Sequence, residues 1–460
     1  MIMRTILLAA LSTLIFLAPA SAQTLIGWRT DGTGRYPSAN PPKTWGLDKN
    51  VVWKTKLPNF SVATPVIVGD KIFVCSEPTS LLCINKADGK ILWEKKSTYA
   101  ELPWTDEDKR GLAVEKAQAE IIQAEKKLRQ VSLTRLERLL KQDAVDPKVT
   151  RKQIDELRAE INQLEVKRKS LPLLMRATEP YRDGTAGYSQ CTPVSNGKQV
   201  FVMYGNCLVA CYDLDGTRRW LKLMEHSTAD YGHGSSPTLV GETLLVHYTD
   251  LVALDTKDGS ERWRIKMRPL HGTSIPTRID GADVVITPTG AIVRVADGKI
   301  VADKLGQCGE NAPILHDNIA YFISGGARAV RLPSASAEKF ESLWKANVKG
   351  GGYWFASPIY HDGLIYAVSA SGPFSVLDAK TGKLVYDIRL EFEGEVYPSI
   401  CLAGNLLYVS SENGTTLVLA PGREYKEIAR NSLETFRSTP VFEGRRMYVR
   451  TQKHLWCIGE

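Results

Sequence analysis

The stretch LVALDTKDGSERW, residues 251–263, repeats almost term for term a stretch 43 residues upstream, LVACYDLDGTRRW at 208–220. Each runs an apolar strand into an Asp-Gly turn and closes a short second strand on tryptophan. A repeated unit of this length cannot bury its apolar face alone, so it announces an array of stacked copies. A second marker recurs with it, a small or apolar residue followed by proline and then an apolar run. It occurs at Thr64-Pro65, Thr192-Pro193, Ser236-Pro237, Ile275-Pro276, Ala312-Pro313, Ser357-Pro358, Tyr397-Pro398 and Thr439-Pro440. Apart from the first gap the prolines lie 37 to 45 residues apart.

After each proline comes a Gly or Asp turn and then a β-branched and aromatic run, as in KIFVCS, QVFVMY, TLLVHY, IAYFIS, LIYAVS, LLYVSS and MYVRT. In the best copies a glycine turn then precedes an aromatic by four residues: Gly89 and Trp93, Gly216 and Trp220, Gly259 and Trp263, Gly382 and Tyr386. Four short strands per ~40 residues are the signature of a β-propeller blade. The expected fold is therefore all-β, an eight-bladed β-propeller. Glu460 falls just after the third strand of the last copy, and NVVWKTKL (50–57) sets Trp53 where KILWEKKS sets Trp93. The N-terminal segment is thus expected to supply the missing outer strand and close the ring, leaving no open edge.

The Asp, Gly and Trp of ALDTKDGSERW resemble the tryptophan-docking repeat of the quinoprotein alcohol dehydrogenase-like (PQQ-binding-like) eight-bladed propellers. The chain is similar also to their non-enzymatic relatives, the outer-membrane assembly factor propellers. The resemblance covers residues 45–100 and 183–460; it is weaker in the fourth copy, where Ala302 replaces the aromatic, and in the fifth and seventh. It implies that Trp53, Trp93, Trp220, Trp263 and Tyr386 are struts between blades, since each ends an outer strand, far from any axial cofactor. An indole there buries a large apolar area and has an N–H to donate.

The enzymes of that superfamily hold pyrroloquinoline quinone with calcium and use an aspartate base, and many carry a disulfide between adjacent cysteines. This chain has no Cys-Cys pair, and no Glu, Asn and Asp set falls on the ligand positions. No cofactor or metal is expected, and no catalytic residue is assigned. Residues just before the prolines should face the channel mouth. His233, His271, Glu310, Trp354 and Arg437 occupy such places and are the candidate ligand site; the same residues would also serve as the polar lining of a water-filled channel. The eight cysteines fall in slots that hold small or apolar residues in other copies, with one candidate bridge, Cys75 to Cys83 across a hairpin.

About 85 residues interrupt the repeat between the first two copies. Val114, Ala117, Ile121, Ala124, Leu128 and Val131 alternate three and four apart, and Ile154, Leu157, Ile161 and Leu164 resume the spacing after Asp146-Pro147. This predicts an antiparallel α-helical hairpin in which both stripes bury against each other. The organisation read from sequence is a signal peptide at 1–22, an N-terminal segment with closing strand and first blade at 23–104, the hairpin at 105–175, and the remaining blades at 176–460.

Arg4, the uncharged run Ile6–Leu17 and the small triplet ending at Ala22 read as a secretory signal, giving a periplasmic or secreted protein with no transmembrane anchor. The formal net charge of +8 is spread along the chain rather than clustered, which excludes a nucleic-acid footprint. The expected function is that of an exported, non-catalytic protein-binding scaffold, with cell-envelope assembly as one setting, that uses the propeller loops or the hairpin. The alternatives are a quinone- and calcium-dependent oxidoreductase and a carbohydrate or small-ligand binder.

Overall fold

The computed structural model describes residues 26–180, 184–225, 235–334 and 339–460. The leader read over 1–22 and the candidate His233 lie outside them. The described chain is mostly β. Its strands form eight sheets, seven of four strands and one of five; six consist of consecutive antiparallel strands, and two take one strand from the N-terminal segment. The architecture is propeller-like. The middle strands are apolar without alternation, as in Leu208–Asp213 and Leu251–Asp255, because neighbouring sheets cover both faces. The last strands are largely exposed, as in Glu261–Ile265.

Eight apolar clusters join the sheets, each drawing on two that are consecutive in sequence or on the eighth and the first. In that last cluster Tyr448, Leu455 and Cys457 meet Ile72, Val74, Leu82 and Ile84. Val51–Lys56 pairs antiparallel with the C-terminal strand, Trp53 opposite Cys457 and Lys56 opposite His454. Arg35–Tyr36 adds a parallel strand to the seventh sheet, against Leu402 and Ala403.

Two sets of hydrogen bonds tie the sheets together. At the entry to seven of the eight first strands, a backbone N–H donates to a hydroxyl in the next sheet. Thr64 donates to Thr192 (3.2 Å), Thr192 to Ser236 (3.0 Å) and Ser236 to Thr273 (3.2 Å). Ala312 donates to Ser357 (3.0 Å), Ser357 to Ser399 (3.1 Å), Ser399 to Thr439 (3.1 Å), and Thr439 back to Thr64 (3.1 Å). One link is missing: Ala312 has no hydroxyl to receive Thr273.

At the periphery, indoles reach the next sheet. Trp53, Trp93, Trp220 and Trp263 donate Nε1–H to the carbonyls of Lys86, Leu214, Thr256 and Val295 at 2.8 to 3.2 Å. Trp344, which the repeat register passed over, does the same to Ala379 at 2.9 Å. Each indole lies on the glycine turn of its neighbour. A Cβ on Gly259 would stand 2.9 Å from the Trp220 ring, and its φ of 74° already favours glycine. Tyr386 contacts Phe374 of its own sheet, at 6.4 Å between centroids.

Between the first two sheets stand α1 (Asp106–Lys141), α2 (Pro147–Lys169) and the short α3 (Pro172–Ala177). Thr105 and Asp108 form a reciprocal cap at the start of α1, and Asp146 caps α2 ahead of Pro147. The helices run antiparallel, with Lys126–Glu165 (2.6 Å), Arg129–Glu160 (2.7 Å) and Arg158–Glu137 (2.9 Å) across the seam. The expected stripe on α2 faces this seam, but the one on α1 does not. Val114, Ile121, Leu128 and Val131 are 59 to 69% exposed, while Ala119, Ile122 and Leu133 are buried. Helical spacing identifies a face without identifying what covers it, and here the ion pairs at Lys126 and Arg129 lie on the covered one.

Two outcomes follow from the intersheet bonds. Gly259→Ala should lose roughly 2 to 3 kcal/mol in urea unfolding, against about 1 kcal/mol for Gly241→Ala, where φ is positive but nothing crowds the site; equal losses would contradict the indole contact. Ala312→Ser should supply the missing acceptor and raise stability by about 1 kcal/mol, whereas a loss would show that the junction is already satisfied in another way.

Candidate functional site

The entry residues that exchange the N–H to hydroxyl bonds surround a cavity of about 110 Å³. Among the described residues its rim is drawn from one position of the repeat, two residues before a relay residue: Val62, Gln190, His271, Glu310, Phe355, Tyr397 and Arg437. Extended backbone sends residues i and i+2 to the same side, so the rim inherits its direction from the relay. Three of the candidates, His271, Glu310 and Arg437, are brought together here. Trp354 is not. One residue out of phase with Phe355, it points away and is buried among Ile314, Tyr321 and Ile365 between the fifth and sixth sheets. Gln190, Phe355 and Tyr397 were missed, and the signal that finds them is this two-residue offset.

On one side of the rim the aromatics stack. Tyr353 lies on Phe355 with centroids 5.4 Å apart, Phe355 on Tyr397 at 4.2 Å and 8°, and the Arg437 guanidinium lies 4.0 Å from the Tyr397 centroid. Glu412 fixes Arg437 through Nη2 (2.7 Å) and Nε (2.9 Å), and itself accepts the Glu395 N–H (3.2 Å). Burial pushes the Tyr397 phenol up to about 12, so it stays a neutral donor. Tyr353, at 58% exposed, carries the stack out to solvent.

The N-terminal segment reaches into the cavity. Its Trp28 is part of the lining. The carbonyl of Ile26 accepts from Ser195 in the second sheet (2.7 Å). The buried Arg29 donates to the carbonyls of Pro358 (3.1 Å) and Ile400 (2.7 Å), at the entries of the sixth and seventh sheets. The segment therefore crosses from one side of the molecule to the other. Burial lowers the Arg29 pKa, but its carbonyl partners suit the charged form.

The donor set does not fit quinone and calcium. Among the lining residues Glu310 is the one carboxylate and Gln190 the one side-chain amide. Among the described residues no three His, Cys, Asp or Glu gather as a metal shell requires. Nor does a thiol nucleophile present itself, because all eight cysteines are buried, none of them in a disulfide. The proposed Cys75–Cys83 bridge is absent: Cys75 pairs with Leu81, Cys83 with Phe73, and the Cys75 thiol donates to the Cys191 carbonyl. Burial pushes Cys83, Cys211, Cys308 and Cys401 up to about 12 and Cys457 to about 11. At pH 8 these thiols stay protonated, so an aromatic disulfide reagent should label none of the eight in the native chain and all of them after unfolding. Rapid native labelling of even one would contradict the packing.

A family model described as outer membrane protein assembly factor BamB matches residues 46–127, 182–332 and 331–423. No curated protein matches the chain. Among solved structures, BamB from Moraxella catarrhalis is similar at a TM-score of 0.55 and 11% identity, over 88% of this chain and 98% of that one. A quinohemoprotein alcohol dehydrogenase from Pseudomonas putida aligns at a TM-score of 0.49 and 11% identity, over 93% of this chain and 80% of that one. At 11% identity the likeness to the Moraxella protein is one of fold. No helix among the described residues is long and apolar enough to cross a membrane.

Proposed function

We propose that this chain, which belongs to the family described as outer membrane protein assembly factor BamB, is an exported, non-catalytic protein-binding scaffold that works in the cell envelope. Its fold in this reading is a ring of eight blades closed by Val51–Lys56, with the helical arm of residues 105–175 inserted after the first blade. The pairing of that strand with the C-terminal strand and the Thr439 to Thr64 bond support closure. The leader sequence supports export, to the periplasm or beyond.

The observation that carries the proposal is the Tyr353, Phe355, Tyr397 and Arg437 stack at the rim. Aromatic side chains and arginine are the residue types that dominate protein-binding hot spots. This stack is held rigid by Glu412, so little entropy is lost when a partner docks. The cavity behind it, at about 110 Å³, is well below the roughly 300–1,000 Å³ usual for small-molecule sites. It suits one inserted side chain of a partner, with the stack gripping the flanking backbone.

Affinity capture of envelope proteins by the purified mature chain tests this reading. Phe355→Ala with Arg437→Ala should cut recovery of the captured partner at least about tenfold, the effect of losing two hot-spot contacts, while leaving the fold intact. Unchanged recovery would refute the rim as the contact. Saturable, calcium-dependent binding of pyrroloquinoline quinone in a calorimeter would refute the non-catalytic reading instead.

A further inference from the structure

The exposed stripe on α1 is built to meet its own copy. Val114, Ala117, Ile121, Ala124, Leu128 and Val131 hold the a and d positions of two and a half heptads. At 100° per residue they lie on the side opposite the buried Ala119, Ile122 and Leu133, so α2 cannot cover them. With Leu128 at 69% exposed and its large neighbours close behind, this is a continuous apolar seam of a kind that monomeric proteins rarely leave open.

We infer that the chain dimerises through this seam, two α1 helices lying antiparallel about a two-fold axis that passes between Ile121 and Ala124. Such an axis sets Val114 against Val131 of the second copy, Ala117 against Leu128, and Ile121 against Ala124. Every layer is filled, with a small residue opposite a large one in two of the three pairs, and the sequence between 114 and 131 is self-complementary only in this register.

Charge selects the same arrangement. The flanking positions bring Glu120 of one copy to Lys127 of the other, twice over, and among the described residues neither makes an ion pair within its own chain. A parallel pair would instead set Glu120 against Glu125. The β body lies at the N-terminal end of α1, where Glu101, just ahead of the helix, pairs with Arg218 of the second sheet (2.7 Å). Antiparallel helices carry the two bodies to opposite ends, whereas parallel ones force them side by side. The contact is independent of the rim site.

Sedimentation velocity of the full mature chain over a range of concentrations reads this directly. A reversible monomer–dimer equilibrium is expected, and Leu128→Glu should abolish it without altering the circular dichroism of the chain. Glu120→Lys and Lys127→Glu should each weaken dimerisation about tenfold by creating like-charge pairs, and an equimolar mixture of the two should recover it as a heterodimer. A chain that stays monomeric at high concentration, a dimer indifferent to Leu128→Glu, or tightening by Glu120→Lys alone would each overturn the inference. Capture of a different protein by the stripe of a monomeric chain would overturn it too.

Discussion

The first strand of a sheet begins at a crowded junction with its neighbour, where a backbone N–H would be buried without a partner unless the neighbouring sheet supplied one. A buried, unsatisfied donor costs about 1–3 kcal/mol, so this constraint is felt at each entry. A serine or threonine in the next sheet answers it, and its own N–H repeats the demand on the following sheet. Seven such bonds set the spacing between first strands, and the rest of each sheet hangs outward from that spacing. The exception at Ala312 coincides with the loss of the peripheral aromatic at Ala302. The fourth and fifth sheets are therefore joined mainly by the apolar cluster around Ile286, Phe322 and Val330.

The rim follows from the same constraint. Because its residues stand two places before the relay, their direction is fixed by backbone that is already bonded on both sides. Repeat position thus decides where they point, while residue identity is free to vary from Val62 through His271 to Tyr397. A recognition surface can change its chemistry on such a frame without disturbing the fold. Here the chemistry is concentrated on one arc, where Glu412 orients Arg437 and Arg437 caps the aromatic stack.

The sequence carried much of this, and its gaps have physical causes. The Asp-Gly turns and tryptophans revealed the sheets because only glycine admits the indole of the neighbour. Trp344 was passed over because its own copy ends on no Asp-Gly turn, although Gly382 of the next sheet receives it. His271, Glu310 and Arg437 were found by their nearness to proline. Trp354 was a one-residue slip, and in extended backbone one residue is the difference between rim and core. The proline itself drifts relative to the relay in the fourth and seventh sheets, where Thr273 and Ser399 do the bonding, so proline was an imperfect ruler. On α1 the three-and-four spacing marked one face of the helix, but periodicity could not say whether α2 or solvent would face it.

A protein partner held by the aromatic and arginine arc at the rim must come within reach of Phe355. Replacing Phe355 with a photo-crosslinking amino acid, with Ile300 on an exposed strand replaced as the control, tests it most directly in living cells. One discrete protein adduct is expected from position 355 and none from position 300. No adduct from 355, or the same adducts from both positions, would contradict it.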